Sequence, residues 1–247
     1  MSGLLTPEVG LVFLYGLITA VATGLGALPF VFMRRVSPAN VAIANALASG
    51  LMLGACSGLL LEGARYGIRQ TVIGGAAGVA FILAGERLLA GRDVGFGDLR
   101  GAGARQVLLV LAVMTLHSFS EGVAVGVAFG GGAKLAALIT IAIAVHNIPE
   151  GLAISAVMRP RGSSILACAG WSIFSSLPQP LMAVPAFLFV EAFRPLLPYG
   201  LGFAAGAMVF MVFLELLPEA YEHASATAIG LLVSASLGAM ILFQRYL

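Results

Sequence analysis

The sequence predicts an all-α polytopic membrane protein, and its composition gives two reasons for this fold class. Of the 247 residues, 60% are hydrophobic and only 10% are charged, and the mean hydropathy is +1.04. A soluble domain has about 25% charged residues because its surface must be solvated. The composition therefore excludes a soluble enzyme, a nucleic-acid-binding protein and a disordered chain.

The spacing of the apolar stretches is the third reason, and it predicts eight transmembrane helices. A helix needs about 20 apolar residues to cross a bilayer, so eight helices leave room only for short loops. We therefore expect one transmembrane domain over residues 1–247 and no large domain outside the membrane. The predicted helices cover roughly residues 9–33, 38–62, 70–90, 106–130, 134–158, 163–190, 196–220 and 225–245.

Each predicted helix ends at a polar or glycine-rich connector. Within the sixth helix, Pro178, Pro180 and Pro185 each remove a backbone hydrogen bond. Such breaks at membrane depth are tolerated where a helix lines a cavity enclosed by protein. The longer connectors are Arg34–Pro38, Arg65–Arg69, Gly91–Arg105, Gly130–Lys134, Arg159–Gly162 and Glu191–Pro198.

The distribution of basic residues predicts the orientation in the membrane. Cytoplasmic loops carry an excess of Lys and Arg. The loops after the first, third, fifth and seventh helices hold eight Lys or Arg residues, whereas the opposite side holds five. We therefore expect a multi-pass protein of the cell (inner) membrane, with the Gly91–Arg105 loop in the cytoplasm and both termini outside.

The fourth and fifth predicted helices share a repeated motif, HSFSEG at 117–122 and HNIPEG at 146–151. A His and a Glu four residues apart lie on one face of a helix, one turn apart. His117 and His146 lie about 11 and 12 residues into their helices, which is about 16 to 18 Å at 1.5 Å per residue and near the middle of a bilayer core of about 30 Å. The short connector makes the two helices antiparallel neighbours, so the two pairs meet and offer a tetrahedral site for a divalent transition metal.

A structural interpretation of the motif is the alternative to a metal site. A lone histidine in a membrane is often only a satisfied polar residue, and the two pairs can also hydrogen-bond to one another without a metal. However, an acidic residue costs about 2.5–3.5 kcal/mol even on the milder insertion scale, and the duplicated spacing favours a site. Pro149 adds a bend beside the ligands because it cannot bond to the Val145 carbonyl.

The two motifs, the eight predicted helices and the outside termini together resemble the ZIP family of zinc and iron permeases, in particular its bacterial GufA-like branch. The resemblance covers essentially the whole chain. Further matches are Gly50–Gly54 leading to Glu62, and Gly206–Met208 leading to Glu215 and Glu219.

The resemblance implies that Zn²⁺ moves toward the cytoplasm by alternating access, with His117, Glu121, His146 and Glu150 as primary ligands. The implied fold has a 3+2+3 arrangement, in which inverted three-helix repeats flank the fourth and fifth helices. We expect no resident cofactor and no enzymatic activity. Cd²⁺, Fe²⁺ and Mn²⁺ are alternative cargoes because imidazole and carboxylate ligands accept all of them.

Three positions depart from family members that hold a second metal. Ser118 stands where those members usually have Asn, and Asn147 stands where many have Asp. Gln179 replaces a Glu that completes the second position. We therefore expect one tight metal position, with Ser118, Asn147 and Gln179 forming a weakened second site.

Five more ionisable residues lie near the predicted ends of the pathway. Glu62 lies at the outer end of the second helix, and Glu215 and Glu219 lie near the inner end of the seventh. Glu222 and His223 follow just beyond. We expect these groups to collect or release a cation, the alternative being ordinary interfacial residues at helix ends.

Two other functions stay open at this point. An integral-membrane metalloenzyme would also place His and Glu among helices, but the chain has neither His-Glu-x-x-His nor Glu-x-x-His. A proton or cation channel that uses the His/Glu pairs as a relay would not need to bind Zn²⁺ at micromolar concentration. The expected partners are a divalent metal ion and the lipid bilayer, with a homodimer as an option and no nucleic acid.

Overall fold

The computed structural model of the protein describes residues 7–33, 37–89 and 102–246. Residues 34–36 of the predicted connector Arg34–Pro38, and most of the connector Gly91–Arg105, lie outside these residues. The regular elements in the described ranges are helices: α1 (Pro7–Leu25), α2 (Pro29–Phe32), α3 (Pro38–Leu89), α4 (Ala102–Gly130), α5 (Ala133–Met158), α6 (Ile165–Ser175), α7 (Pro178–Ala192), α8 (Leu197–Met211), α9 (Leu217–His223) and α10 (Ala226–Tyr246).

Apolar helices long enough to cross a bilayer account for most of the described chain. Within the described residues, six helical stretches meet the length and hydropathy requirements of a membrane span. They are Glu8–Phe32, Pro38–Gly85, Ala133–Arg161, Ile165–Ala192, Arg194–His223 and Ala226–Tyr246. The prediction of an all-α polytopic membrane protein is therefore confirmed.

α3 is interrupted at Gly67, whose extended backbone (φ 168°, ψ 108°) does not fit a helix. The chain turns back at this point. Gly63 lies close to Thr71, since a Cβ atom on Gly63 would lie only 2.7 Å from Thr71 Oγ1. In a straight helix those two residues would be about 12 Å apart along the axis. We call residues 38–66 the first arm and residues 68–89 the second arm of α3; they correspond to the predicted helices at 38–62 and 70–90.

The break between α6 and α7 follows from Pro178. Proline has no N–H to bond to the carbonyl four residues earlier, and the neighbouring bonds here shorten to a three-residue spacing. Leu177 N–H donates to Phe174 O at 3.2 Å, and Gln179 N–H donates to Ser176 O at 3.0 Å. This break places Gln179 in the first turn of α7, where its fully buried side chain reaches the centre of the bundle.

Two parallel helix pairs surround the centre of the molecule. Asn147 on α5 donates a hydrogen bond to Thr19 O on α1 at 2.9 Å. One turn further along both helices, Gly151 packs against the carbonyl of Thr23, so α1 and α5 run in the same direction. In the same way Gly122 and Gly126 of α4 pack against Gln179 and Ala183 of α7.

Two more parallel pairs form the remaining side of the bundle. The first arm of α3 packs against α10, and the second arm packs against α8. Glycines make these close approaches possible, because small residues let membrane helices come together. The residue pairs in contact are Gly50–Ser236 and Gly54–Met240 for the first arm, and Gly74–Tyr199 and Gly78–Phe203 for the second arm.

Candidate metal site

The repeated motif brings two histidines and two glutamates together between α4 and α5. His117 and His146 lie near the middle of these helices, which have 29 and 26 residues. His117, Glu121 and His146 are fully buried and Glu150 is 4% exposed. The structure therefore places the four predicted primary ligands side by side in the interior of the molecule.

The shortest contacts in this cluster join one helix to the other. His146 Nε2 lies 2.6 Å from Glu121 Oε1, and His117 Nε2 lies 3.1 Å from Glu150 Oε1. Within each helix the corresponding His–Glu distances are longer, at 3.8 and 3.9 Å. This crossed pairing confirms that α4 and α5 are antiparallel neighbours.

The cluster has the donor set and the spacing of a metal site. One ligand atom from each of the four residues lies within 4.8 Å of the other three, and the described residues contain no other group of three or more such ligands this close together. Two imidazole nitrogens and two carboxylate oxygens suit a four-coordinate divalent metal. Neither His117 Nδ1 nor His146 Nδ1 has a hydrogen-bond partner among the described residues.

The three residues predicted to form a weakened second site make direct contacts with this cluster and with one another. Gln179 Nε2 donates to Glu121 Oε2 at 2.5 Å, and Gln179 Oε1 accepts a hydrogen bond from Asn147 Nδ2 at 3.2 Å. Ser118 Oγ lies 3.4 Å from Gln179 Nε2. All three side chains are buried. Both polar atoms of the Gln179 amide and the Nδ2 of Asn147 are therefore engaged in hydrogen bonds beside the four-residue cluster.

A chain of hydroxyl groups continues from the amides toward α1, and the sequence analysis did not anticipate it. Ser118 Oγ lies 3.5 Å from Ser176 Oγ, and Ser176 Oγ donates to Thr23 Oγ1 at 2.9 Å. The available signal was the pair Thr19 and Thr23, two polar residues four positions apart in an apolar helix. They lie on one helix face, and that face is turned toward the site.

The five residues predicted at the ends of the pathway lie outside the four-residue cluster. Glu62 forms an ion pair with the exposed Arg65 at 3.1 Å. Glu219 accepts a hydrogen bond from the buried Asn45 at 3.0 Å. Glu215 lies in a π-helical turn, Val212–Leu216, between α8 and α9. Glu222 and His223, at the end of α9, are both exposed.

The apolar helices and the buried His/Glu cluster define the class of this molecule as an integral membrane protein with a candidate metal pathway. Comparison with known sequences supplies the family. The profile of the family described as ZIP Zinc transporter matches residues 97–243. The chain belongs to the ZIP zinc transporter family, which confirms the resemblance noted from the two motifs and agrees with a transporter rather than an enzyme.

Several curated relatives are similar over most of this chain. A candidate zinc transporter of Arabidopsis thaliana is 46% identical over 237 residues, or 94% of this chain, although the chain spans only 38% of that protein's length. The zinc transporter GufA of Myxococcus xanthus is 30% identical over 83% of this chain and 87% of its own length. The zinc transporter ZupT of Corynebacterium glutamicum is 33% identical over 85% of this chain and 89% of its own length. The GufA and ZupT matches agree with the predicted bacterial branch.

Proposed function

We propose that this protein carries a divalent transition metal, Zn²⁺ first of all, across the membrane through the His/Glu cluster. The observation that carries the proposal is the meeting of His117, Glu121, His146 and Glu150 at the middle of two antiparallel helices, with ligand atoms within 4.8 Å of one another. Four ionisable groups in the interior of a membrane protein are costly. A metal cation bound between them would offset that cost.

Zinc is the proposed cargo because of both the ligands and the relatives. Zn²⁺ is usually four-coordinate and accepts imidazole nitrogen and carboxylate oxygen. Three similar proteins, from a plant and two bacteria, carry the name of zinc transporter or candidate zinc transporter. We propose Cd²⁺, Fe²⁺ and Mn²⁺ as weaker cargoes, since the same donor types accept them.

We further propose that the chain crosses the membrane eight times. The first crossing is α1 with α2, and the second and third crossings are the first and second arms of α3. The fourth and fifth crossings are α4 and α5. The sixth is α6 with α7, the seventh is α8 with α9, and the eighth is α10. The helix directions support this number, because α1 and α5 run parallel while α4 and α5 run antiparallel. If α3 crossed only once, α1 and α5 would be the first and fourth crossings and would have to run in opposite directions.

The packing also supports a 3+2+3 arrangement with inverted repeats within one transmembrane domain, residues 1–247. The four parallel pairs join the first crossing to the fifth, the sixth to the fourth, the second to the eighth, and the seventh to the third. Suppose that the first three crossings are exchanged, in order, with the last three, and that the fourth is exchanged with the fifth. The pair of the first and fifth crossings then becomes the pair of the sixth and fourth, and the pair of the second and eighth becomes the pair of the seventh and third, so the same four pairs result. A two-fold relation between the repeats has that property.

We propose inward transport by alternating access in the cell (inner) membrane, with both termini outside. The excess of Lys and Arg in the loops after the odd-numbered crossings supports this orientation. Glu62 would then lie at the outer mouth, and Glu215 would lie between the cluster and the inner end of the seventh crossing. Glu219, Glu222 and His223 would receive the ion at that inner end. The position of Glu215 in the π-helical turn between α8 and α9 supports such a route.

Uptake of Zn²⁺ into proteoliposomes tests the proposal. We expect His146→Ala and Glu150→Ala to lower the initial rate by at least about 10-fold, because even the loss of an outer partner of a metal ligand typically costs 10- to 100-fold. Glu191→Ala is the matched control, since Glu191 is half exposed and pairs with Arg194 on the surface. Equal rates in the wild type and both site variants, at equal amounts of folded protein, would exclude the cluster as the pathway.

A further inference from the structure

Gln179 makes a set of contacts that fixes one primary ligand. Its Nε2 donates to Glu121 Oε2 at 2.5 Å, while its Oε1 accepts from Asn147 Nδ2 at 3.2 Å. A carboxylate accepts hydrogen bonds and does not donate them, so the amide nitrogen must face Glu121 and the amide oxygen must face Asn147. The orientation of the Gln179 amide is thus determined by its two neighbours.

Asn147 is itself held in place by the backbone of another helix. Its Nδ2 donates to the carbonyl of Thr19 on α1 at 2.9 Å in addition to the Gln179 contact. At the other end of the glutamine, the break before Pro178 fixes the first turn of α7. The chain Thr19–Asn147–Gln179–Glu121 therefore connects four helices at the depth of the cluster, and all four side chains are buried.

This chain gives the two oxygens of Glu121 different roles. Oε2 receives the Gln179 N–H, whereas Oε1 lies 2.6 Å from His146 Nε2 and faces the cluster. We propose that Gln179 restricts Glu121 to a single metal-facing oxygen and thereby makes the site selective for Zn²⁺ over Mn²⁺. The inference rests on the proposed function, because it assigns a role in selectivity at the same site.

The physical reason is the number of ligand atoms that each metal requires. Zn²⁺ in proteins is satisfied by four donors in a tetrahedron, which two imidazoles and two single carboxylate oxygens supply. Mn²⁺ favours octahedral sites rich in oxygen. Without the Gln179 donor, the second oxygen of Glu121 becomes free to turn toward the ion. The site then gains a fifth donor atom, which suits Mn²⁺ and disturbs the tetrahedral arrangement that Zn²⁺ favours. The polar atoms of Gln179 are occupied in this arrangement, so it acts as a positioning residue and not as a ligand.

Competition binding with Zn²⁺ and Mn²⁺ on the purified full chain tests this role. We expect Gln179→Leu, which keeps the approximate volume but removes the donor, to weaken Zn²⁺ binding by about 10-fold or more and to leave Mn²⁺ binding unchanged or tighter. The ratio of the two dissociation constants then shifts by at least about 10-fold toward Mn²⁺. Gln179→Met, an unbranched side chain that adapts to its surroundings, should shift the ratio in the same direction.

Gln244→Leu is the matched control. Gln244 also donates its amide to a neighbouring helix, at 2.6 Å from Gly54 O, but it lies on α10 away from the cluster. We expect the metal ratio of this variant to equal that of the wild type. A general loss of folding lowers both affinities together, so the ratio isolates the effect of Gln179.

A ratio that stays constant in both Gln179 variants would overturn the selectivity role. If Zn²⁺ binding to the wild type is lost in His146→Ala while the ratio is unaffected by Gln179 substitution, the proposed pathway stands and only this inference fails. If His146→Ala binds Zn²⁺ as tightly as the wild type, the proposed pathway itself fails.

Discussion

At the scale of single residues, each histidine of the cluster lies closer to the glutamate of the other helix than to the one on its own helix. The crossed distances are 2.6 and 3.1 Å, against 3.8 and 3.9 Å within each helix. Neither α4 nor α5 alone can therefore form the site. A relative movement of the two helices would change both crossed distances at once and leave the two distances within each helix unchanged. In the proposed transport, such a movement would open the cluster and release the ion.

The residues beside the cluster predict how many metal ions it holds. In the wild type, Gln179 and Asn147 place neutral amides beside Glu121, so we expect one Zn²⁺ per chain. The double variant Asn147→Asp with Gln179→Glu adds two carboxylates at that position, and these should hold a second ion. Elemental analysis of purified protein equilibrated with Zn²⁺ gives both values.

The matched control for the metal count is Gln244→Glu, which adds a carboxylate on α10 and should leave the metal count at one. Two ions per chain in the wild type would show that neutral amides do not prevent a second ion from binding. A count that stays at one in the double variant would show that the second position needs more than carboxylates.

Residue spacing predicted which four side chains meet in the cluster, but it did not predict how they are oriented. The pattern His-x-x-x-Glu fixes which side chains share a helix face, and the short Gly130–Lys134 connector brings the two faces together. The bond from Gln179 to Glu121 joins residues that are 58 positions apart, and it depends on how α7 is displaced at Pro178. No local pattern in the sequence contains that information.

At the scale of helices, glycines determine how closely the second arm of α3 approaches α8. Gly78 lies directly against the carbonyl of Phe203, and Gly202 lies directly against the carbonyl of Thr71. Contacts from both helices leave no room for a side chain at either position. Association in a membrane depends on such close packing, because lipid tails are as apolar as the helices themselves.

The α3–α8 contact predicts that Gly78→Ala is destabilising. The added methyl group would meet Phe203 O, and forcing extra atoms into a packed interface typically costs about 1–3 kcal/mol. We expect the variant to unfold several degrees below the wild type in a thermal assay in detergent. Gly170→Ala is the control, because a Cβ atom there has no neighbour within 4 Å among the described residues, and its unfolding temperature should be unchanged or slightly higher. Equal unfolding temperatures for Gly78→Ala and the wild type would contradict this account of the interface.

Hydropathy predicted the helices, but it did not predict the breaks within them. Pro178 indicates the break between α6 and α7, since proline removes a helical hydrogen bond. The π-helical turn at Val212–Leu216 is followed by Pro218, which cannot donate a hydrogen bond to the Leu214 carbonyl. This turn contains Glu215, and π-helical turns are frequent at functional sites. Pro218 indicates where the helix is disturbed, but the sequence does not show that the disturbance becomes a π-helical turn, because that depends on the packing of α8 against its neighbours.

At the scale of the whole molecule, the chain uses its few charged residues in two different ways. It has thirteen basic and eleven acidic residues in 247, and two of the acidic ones lie inside the central cluster. The arginines and the lysine are concentrated in the connectors, where they bias the orientation. In the proposed function, both the metal binding and the membrane orientation depend on a small set of charges. The orientation can be tested separately from metal binding.

The proposed topology predicts which connectors face the outside of the cell. In a background in which the buried Cys56 and Cys168 are replaced by Ser, single cysteines introduced at Tyr66 and Lys134 should react with a membrane-impermeant maleimide on intact cells. Both positions are exposed in the structure and follow the even-numbered second and fourth crossings. Cysteines at Ser163 and Ser225, which follow the fifth and seventh crossings, should react only after the membrane is permeabilised.

Reaction at Ser163 and Ser225 with protection at Tyr66 and Lys134 would invert the proposed orientation and hence the proposed direction of transport. Protection at Tyr66 together with reaction at Lys134 would mean that the two arms of α3 do not cross the membrane separately.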